Sequence, residues 1–198
     1  MSIDRVTVYA ASSQALHDDY ISAAALLGEI LAKAGHEVIF GGGGHGLMGA
    51  MANGALQAGG RVHGVMPAFL TKIEQGHPGL TSLEIVEDMR TRKEKMLEGS
   101  DAVIALPGGC GTFEELFEVM TLKRLGQYLG PIVLINTRGY YDELLSFLEH
   151  SVKEHFMSPT HLNMWQSVAH PADILQAFGE APAWSTNALH ESAAVKAR

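Results

Sequence analysis

The sequence predicts an α/β domain built as a doubly wound parallel sheet with helices on both faces. Three observations carry that reading. Short apolar runs recur along the chain and alternate with helical patterns. Two glycine-rich segments each fall directly after one of those runs. A length of 198 residues suits one well-buried domain and is short for two. Strands separated by helices pair in parallel with both faces covered. Right-handed crossovers then place the loops that follow strands on one sheet edge, where ligands bind.

Taken in order, residues 6–10 (VTVYA) read as the first strand, and the Ala- and Leu-rich residues 20–34 as a helix closed by Gly35. Residues 36–40 form the second strand, ending in Gly41 to Gly44, and residues 47–58 a helix stopped by Gly59 and Gly60. A third strand over 61–66 is stopped by Pro67, residues 68–82 are irregular, and 83–86 make a short strand. Residues 89–98 are helical, and the apolar run 101–106 is the strand before the second glycine segment. A helix over 113–125, a strand over 132–135 and a helix over 141–154 follow, with a last strand and helix at 165–168 and 171–178. The domain spans residues 1–179, without internal repeat or linker. The tail over 180–198, rich in Ala, Ser and Asn without periodicity, is expected to be mobile.

Hydrophobic residues at 46% and charged residues at 18% suit a soluble globule. The formal net charge of −8 argues against a nucleic-acid partner, so a bound phosphate must be held by local dipoles and a few basic residues. Cys110 is the single cysteine, which excludes an intrachain disulfide. No basic-then-apolar leader opens the chain and no apolar run reaches spanning length. A cytoplasmic protein without a membrane partner is expected. None of the ten histidines has H-x-x-x-H or H-E-x-x-H spacing, so no metal site is expected.

The most informative segment is Pro107-Gly-Gly-Cys-Gly-Thr-Phe-Glu-Glu115, between a strand and a helical pattern. Glycines let backbone N–H groups approach an anion closely, and a helix start adds positive partial charge. The turn from Gly108 through Gly109, Cys110 and Gly111 to Thr112 is thus a candidate phosphate cradle, with Glu114 and Glu115 beside it. Thr112 and Glu115 also have the T-x-x-E spacing of a capping box, which competes with any chemical role for Glu115. Glu114 lies four residues before Glu118, a like-charge pair that helix design alone would not choose. Gly44-His-Gly-Leu-Met-Gly49 matches G-x-G-x-x-G, but no acidic residue follows about 20 positions on, and the match comes after the second strand, so NAD binding is disfavoured. A tight packed turn and a ligand loop both account for it. The cluster Arg90-Thr-Arg-Lys93 opens a helix, the unfavourable end for cations, which points either to a solvated surface or to an anionic partner. Cys110 reads as a small residue filling a turn.

Pro107–Glu115 fits PGGxGTxxE. Together with Gly42-Gly-Gly-His-Gly-Leu-Met-Gly49 and Arg92-Lys93, it resembles the Lonely Guy family of cytokinin-activating phosphoribohydrolases over about residues 6–178. The resemblance implies a Rossmann-like fold, a homodimer, and hydrolysis of the N-glycosidic bond of nucleoside 5′-monophosphates such as AMP or isopentenyladenosine monophosphate, without a cofactor. It implies catalytic roles for Arg92 and Glu115. Substrate contacts are implied for Lys93, for the segment Gly109 to Glu115 and for Thr121, with Glu74 a looser match. Such proteins have also been called lysine decarboxylases, though these motifs do not require pyridoxal-phosphate chemistry. Arg90 stands where the family has histidine, and Tyr9-Ala-Ala-Ser-Ser13 where a Cys-Gly-Ser-Ser run is common; both departures bear on the choice of base. A non-catalytic nucleotide or molybdenum-cofactor carrier on the same fold, or a hydrolase of another nucleoside monophosphate, are the alternative readings.

Overall fold

Strand β1 (Arg5–Tyr9) lies near the middle of a seven-stranded sheet in the computed structural model, which describes residues 2–188. Val6 pairs with Val38 of β2 (Glu37–Phe40) on one side and with Ala102 of β5 (Ala102–Ala105) on the other. β3 (Val62–Pro67) and β4 (Ser82–Val86) continue outward beyond β2, and β6 (Ile132–Ile135) and β7 (Gln166–Val168) beyond β5. Every pairing is parallel. The chain therefore winds outward from β1 through β4, crosses back to β5, and winds out the other way. Reversal of strand order opens a crevice beyond the carboxyl ends of β1 and β5.

Alternate residues of each strand feed two cores, as the period of a strand requires. Val6, Val8, Phe40 and Ile104 pack against α1 (Asp18–Lys33), α2 (Gly46–Gln57) and α6 (Ile174–Glu180). Tyr9, Ile39, Val103 and Ala105 pack against α3 (Met89–Leu97), α4 (Cys110–Arg124) and α5 (Asp142–Lys153). The α1–α2 pair is close because both present glycine at the crossing. A Cβ on Gly28 would stand 2.0 Å from the Met51 carbonyl oxygen, and one on Gly54 2.0 Å from that of Ala25.

All seven expected strands are present, and each expected helix appears within a few residues of its anticipated bounds. One boundary is corrected. Helix α4 starts at Cys110 rather than at 113. In the stretch after 180, Trp184 Nε1 donates to the Lys123 carbonyl at 2.5 Å and Ala188 is 6% exposed. The rest of that tail, residues 189–198, lies outside the described residues. No described helix is long and apolar enough to cross a membrane.

Candidate active site

Helix α4 begins at an N-cap, Gly109, that has no side chain to cap it. Its first backbone bond runs from Phe113 N–H to the Gly109 carbonyl, 3.0 Å, so Cys110, Gly111 and Thr112 present N–H groups with no partner among the described residues. Ideal Cβ atoms on Gly109 and Gly111 would meet nothing within 4 Å, and both glycines line the same cleft. The helix thus aims unpaired donors and its positive end into open space, an arrangement that receives an anion. The contrast with α2 is instructive. Its Leu47 and Met48 N–H groups both donate to the Ala11 carbonyl, at 2.9 and 3.2 Å, so the G-x-G-x-x-G match is a packed turn and not a phosphate loop.

The capping-box expectation for Thr112 and Glu115 is also corrected. With the cap at Gly109, Thr112 falls inside the first turn, and Glu115 one turn later faces the cleft at 8% exposure. Burial pushes the Glu115 carboxyl up from 4.5 to about 7, against the opposing pull of Arg92. Arg92 comes from α3, whose N-cap Asp88 accepts from Thr91 N–H at 2.8 Å. Its Nε donates to the Val65 carbonyl and its Nη2 to that of Gly41, both at 3.1 Å, leaving Nη1 3.9 Å from Glu115 Oε1. Gly41 is glycine because a Cβ there would collide with Arg92 Nη2, at 1.9 Å. Gly43 makes room for Glu74 in the same way, with its Oε1 2.2 Å from an ideal Cβ. The irregular stretch after β3 is stitched onto this glycine segment by His77 N–H to the Gly42 carbonyl, 2.9 Å, and by a Gly43–Gly76 bridge, which carries Glu74 to the cleft.

The resulting cleft has a volume of about 420 Å³. It gathers Glu74, Arg92, Gly109, Gly111, Thr112 and Glu115. Gly108 sits beneath it, its carbonyl accepting from the Tyr140 hydroxyl at 2.6 Å, and Cys110 is exposed at the start of α4. Five expected contacts are not among its lining residues: Gly108 and Cys110, and further away Lys93, Glu114 and Thr121. Lys93 pairs with Glu114 and, at 3.2 Å, with Glu118, which accounts for the like-charge pair on α4. Thr121, two turns beyond, donates to the Phe117 carbonyl at 2.7 Å and opens on a separate groove. Sequence reasoning did not single out Ser12, Leu70, Met89 and Met96 as lining residues; the first follows β1, and its position after a central strand was the available signal. Among the described residues no group of three or more His, Cys, Asp or Glu is placed to hold a metal. No lysine among the described residues lines the cleft.

Fold and cleft define a doubly wound α/β protein with an anion-receiving helix end beside a buried acid and an oriented arginine. Residues 48–178 match the family described as possible lysine decarboxylase. The cytokinin riboside 5′-monophosphate phosphoribohydrolase of Rhodococcoides fascians is 45% identical over 155 residues, covering 78% of each chain. That named LOG3 in Arabidopsis thaliana is 42% identical over 156 residues, 79% of this chain and 73% of the relative. The chain belongs to this phosphoribohydrolase family, as its motifs implied. Among solved structures, the molybdenum cofactor carrier protein of Chlamydomonas reinhardtii superposes with a TM-score of 0.70 at 19% identity, covering 91% of this chain and 98% of that one. The molybdenum cofactor binding protein of Rippkaea orientalis gives 0.66 at 20% identity, covering 89% and 95%. At these identities the likeness extends to the fold alone.

Proposed function

We propose that the protein hydrolyses the N-glycosidic bond of a nucleoside 5′-monophosphate, a cytokinin riboside monophosphate or AMP, to free base and ribose 5-phosphate. The observation that carries this reading is the buried Glu115 facing the same cleft as the unpaired N–H groups of α4. The 5′-phosphate docks on the N–H groups of Cys110, Gly111 and Thr112, which sets the ribose over Glu115. The C1′–N bond breaks with its electron pair leaving on the base, and positive charge grows at C1′ and the ring oxygen. Ionised Glu115 stabilises that charge and takes a proton from the water whose oxygen joins C1′. The base takes up a proton from solvent as it leaves, Glu115 later returning the water's proton to solvent, and Arg92 Nη1, the one guanidinium arm free of backbone carbonyls, orients the carboxylate and the leaving group. Glu74, its Oε1 buried without a hydrogen-bond partner among the described residues, is set to accept from a ribose hydroxyl.

Phosphate dependence tests this reading. Base should be released from AMP or isopentenyladenosine monophosphate and not from the matching nucleosides, because binding energy at the helix end orients the sugar only when phosphate is present. Equal rates on adenosine and AMP would refute it. Binding of AMP without base release would favour a carrier.

The same reading includes a homodimer. Phe117, Phe147 and Phe156 are 40%, 61% and 81% exposed on and after α4 and α5, beside an apolar groove of about 190 Å³ that also holds Thr121. Such a patch is unusual on a solitary domain. On this face Thr121 is directed to a second copy rather than to its own cleft. Light scattering at micromolar concentration should give twice the chain mass, and Phe156→Glu should give the single chain.

A further inference from the structure

A second cleft, of about 400 Å³, lies on the same sheet edge, beyond the ends of β6 and β7. Asp19 and Ser22 of α1, Thr137 and Arg138 of the turn after β6, and His170 after β7 line it. Arg138 donates through Nη1 to Asp19 Oδ2 at 2.7 Å and also interacts with the Tyr20 side chain, and His17 Nδ1 lies 3.4 Å from the same Asp19 oxygen. Both side chains are about half exposed, 47% and 53%, so the pair itself adds little to the fold. Arg138 nevertheless adopts φ +58°, a left-handed conformation uncommon for a residue with a Cβ. Thr137 is 8% exposed and its buried hydroxyl has no hydrogen-bond partner among the described residues. His170 Nδ1 accepts from Ala172 N–H at 3.3 Å, so the neutral ring carries its proton on Nε2 as a further donor. Leu26 and Pro171 supply apolar wall. Nothing in the hydrolysis uses any of these groups.

One cation and one anion stand side by side here, with donors and an apolar wall around them. A lone anion would meet the Asp19 carboxylate, and a lone cation the Arg138 guanidinium. A ligand carrying both charges answers both. The turn bearing Arg138 also grips the phosphate loop. Tyr140 Oη donates to the Gly108 carbonyl at 2.6 Å and Tyr141 Oη to the Leu106 carbonyl at 2.7 Å, while the Tyr140 ring packs edge-on against Tyr20, the neighbour of Asp19. We propose that this second cleft binds a small zwitterion with an apolar body, of the class of an apolar α-amino acid, its carboxylate on Arg138 and its ammonium on Asp19, and that occupancy is transmitted through Tyr140 to the glycine turn at Gly108. The path is a continuous set of packed and hydrogen-bonded groups.

Backbone-amide NMR on the full chain tests this without reference to turnover. Titrated leucine and phenylalanine should shift the amides of Arg138, Ala169 and Ala172 saturably, and those of Gly108 and Gly109 with them. Isovalerate and isoamylamine, each carrying one of the two charges, should bind at least roughly tenfold more weakly, the worth of one charge-assisted hydrogen bond. Arg138→Asn should weaken leucine by about the same factor, since Asn tolerates the left-handed backbone but lacks the cation. Tyr140→Phe should keep the shifts around Arg138 and lose those at Gly108 and Gly109. Shifts by isovalerate equal to those by leucine would make the cleft a plain anion site and overturn the proposal. So would the absence of saturable shifts around Arg138, or a Gly108 response that survives in Tyr140→Phe.

Discussion

Burial holds Glu115 near pH 7 even though Arg92 opposes it, so the folded chain is penalised for ionising this group. The folded pKa, about 7, lies above the ordinary 4.5. Its contribution to stability is therefore fully present below about 4.5, is lost as the pH rises to about 7, and stays lost above. Glu115→Gln should melt with the wild type near pH 4 and be more stable near pH 8 by about 3 kcal/mol. The same variant should release almost no base, because an amide can neither stand as an anion beside the ribosyl cation nor take a proton from water. In the wild type, kcat/KM should climb with pH through about 7 as the carboxylate forms. Thermal melts and base-release rates on the same samples decide both points. A kcat/KM that falls through this range would instead make Glu115 the proton donor.

Helices α3 and α4 are joined at the surface by Lys93, which reaches both Glu114 and Glu118. Those hydrogen bonds, Glu114 first, raise the Lys93 ammonium above its usual pKa. Lys93→Met should cost at most about 1 kcal/mol at low salt, since two carboxylates one turn apart would then face each other unshielded. The deficit should shrink in high salt, as denaturant melts at two ionic strengths would register. This pair also marks where sequence reading stops. Strand and helix identities were legible because each is written in local periodicity, and the glycine turn before α4 because its residues are contiguous. The T-x-x-E spacing of Thr112 and Glu115 misled because the helix begins three residues earlier, at a glycine that leaves its donors free. The fate of the G-x-G-x-x-G donors was set by Ala11, over 30 residues away in the chain, which no local pattern reveals. Arg92 was legible as a misplaced cation, but the carbonyls that aim it come from Val65 of β3 and from Gly41 just after β2, far from it in sequence.

At the scale of the whole molecule, the cleft draws on both windings of the sheet. Residues after β1 and β2 supply one wall, and α4 after β5 supplies the other. The central strand consequently stays half-paired while β2, β3 and β4 are laid down. During synthesis, β1 can pair with β2 as soon as residue 40 is free, but its other edge, from Val6 to Tyr9, stays unpaired until residue 105 has emerged. Closing that seam needs contacts nearly 100 residues apart in sequence, the kind that form slowly. In refolding from denaturant, helix signal should therefore return before hydrolytic activity, and stopped-flow circular dichroism beside delayed activity sampling should separate the two. Until then the chain carries an open apolar strand edge at its centre, so the interval between the two signals is also the interval in which it is most exposed to aggregation, and a chaperone that retains the chain should protect this seam above all others.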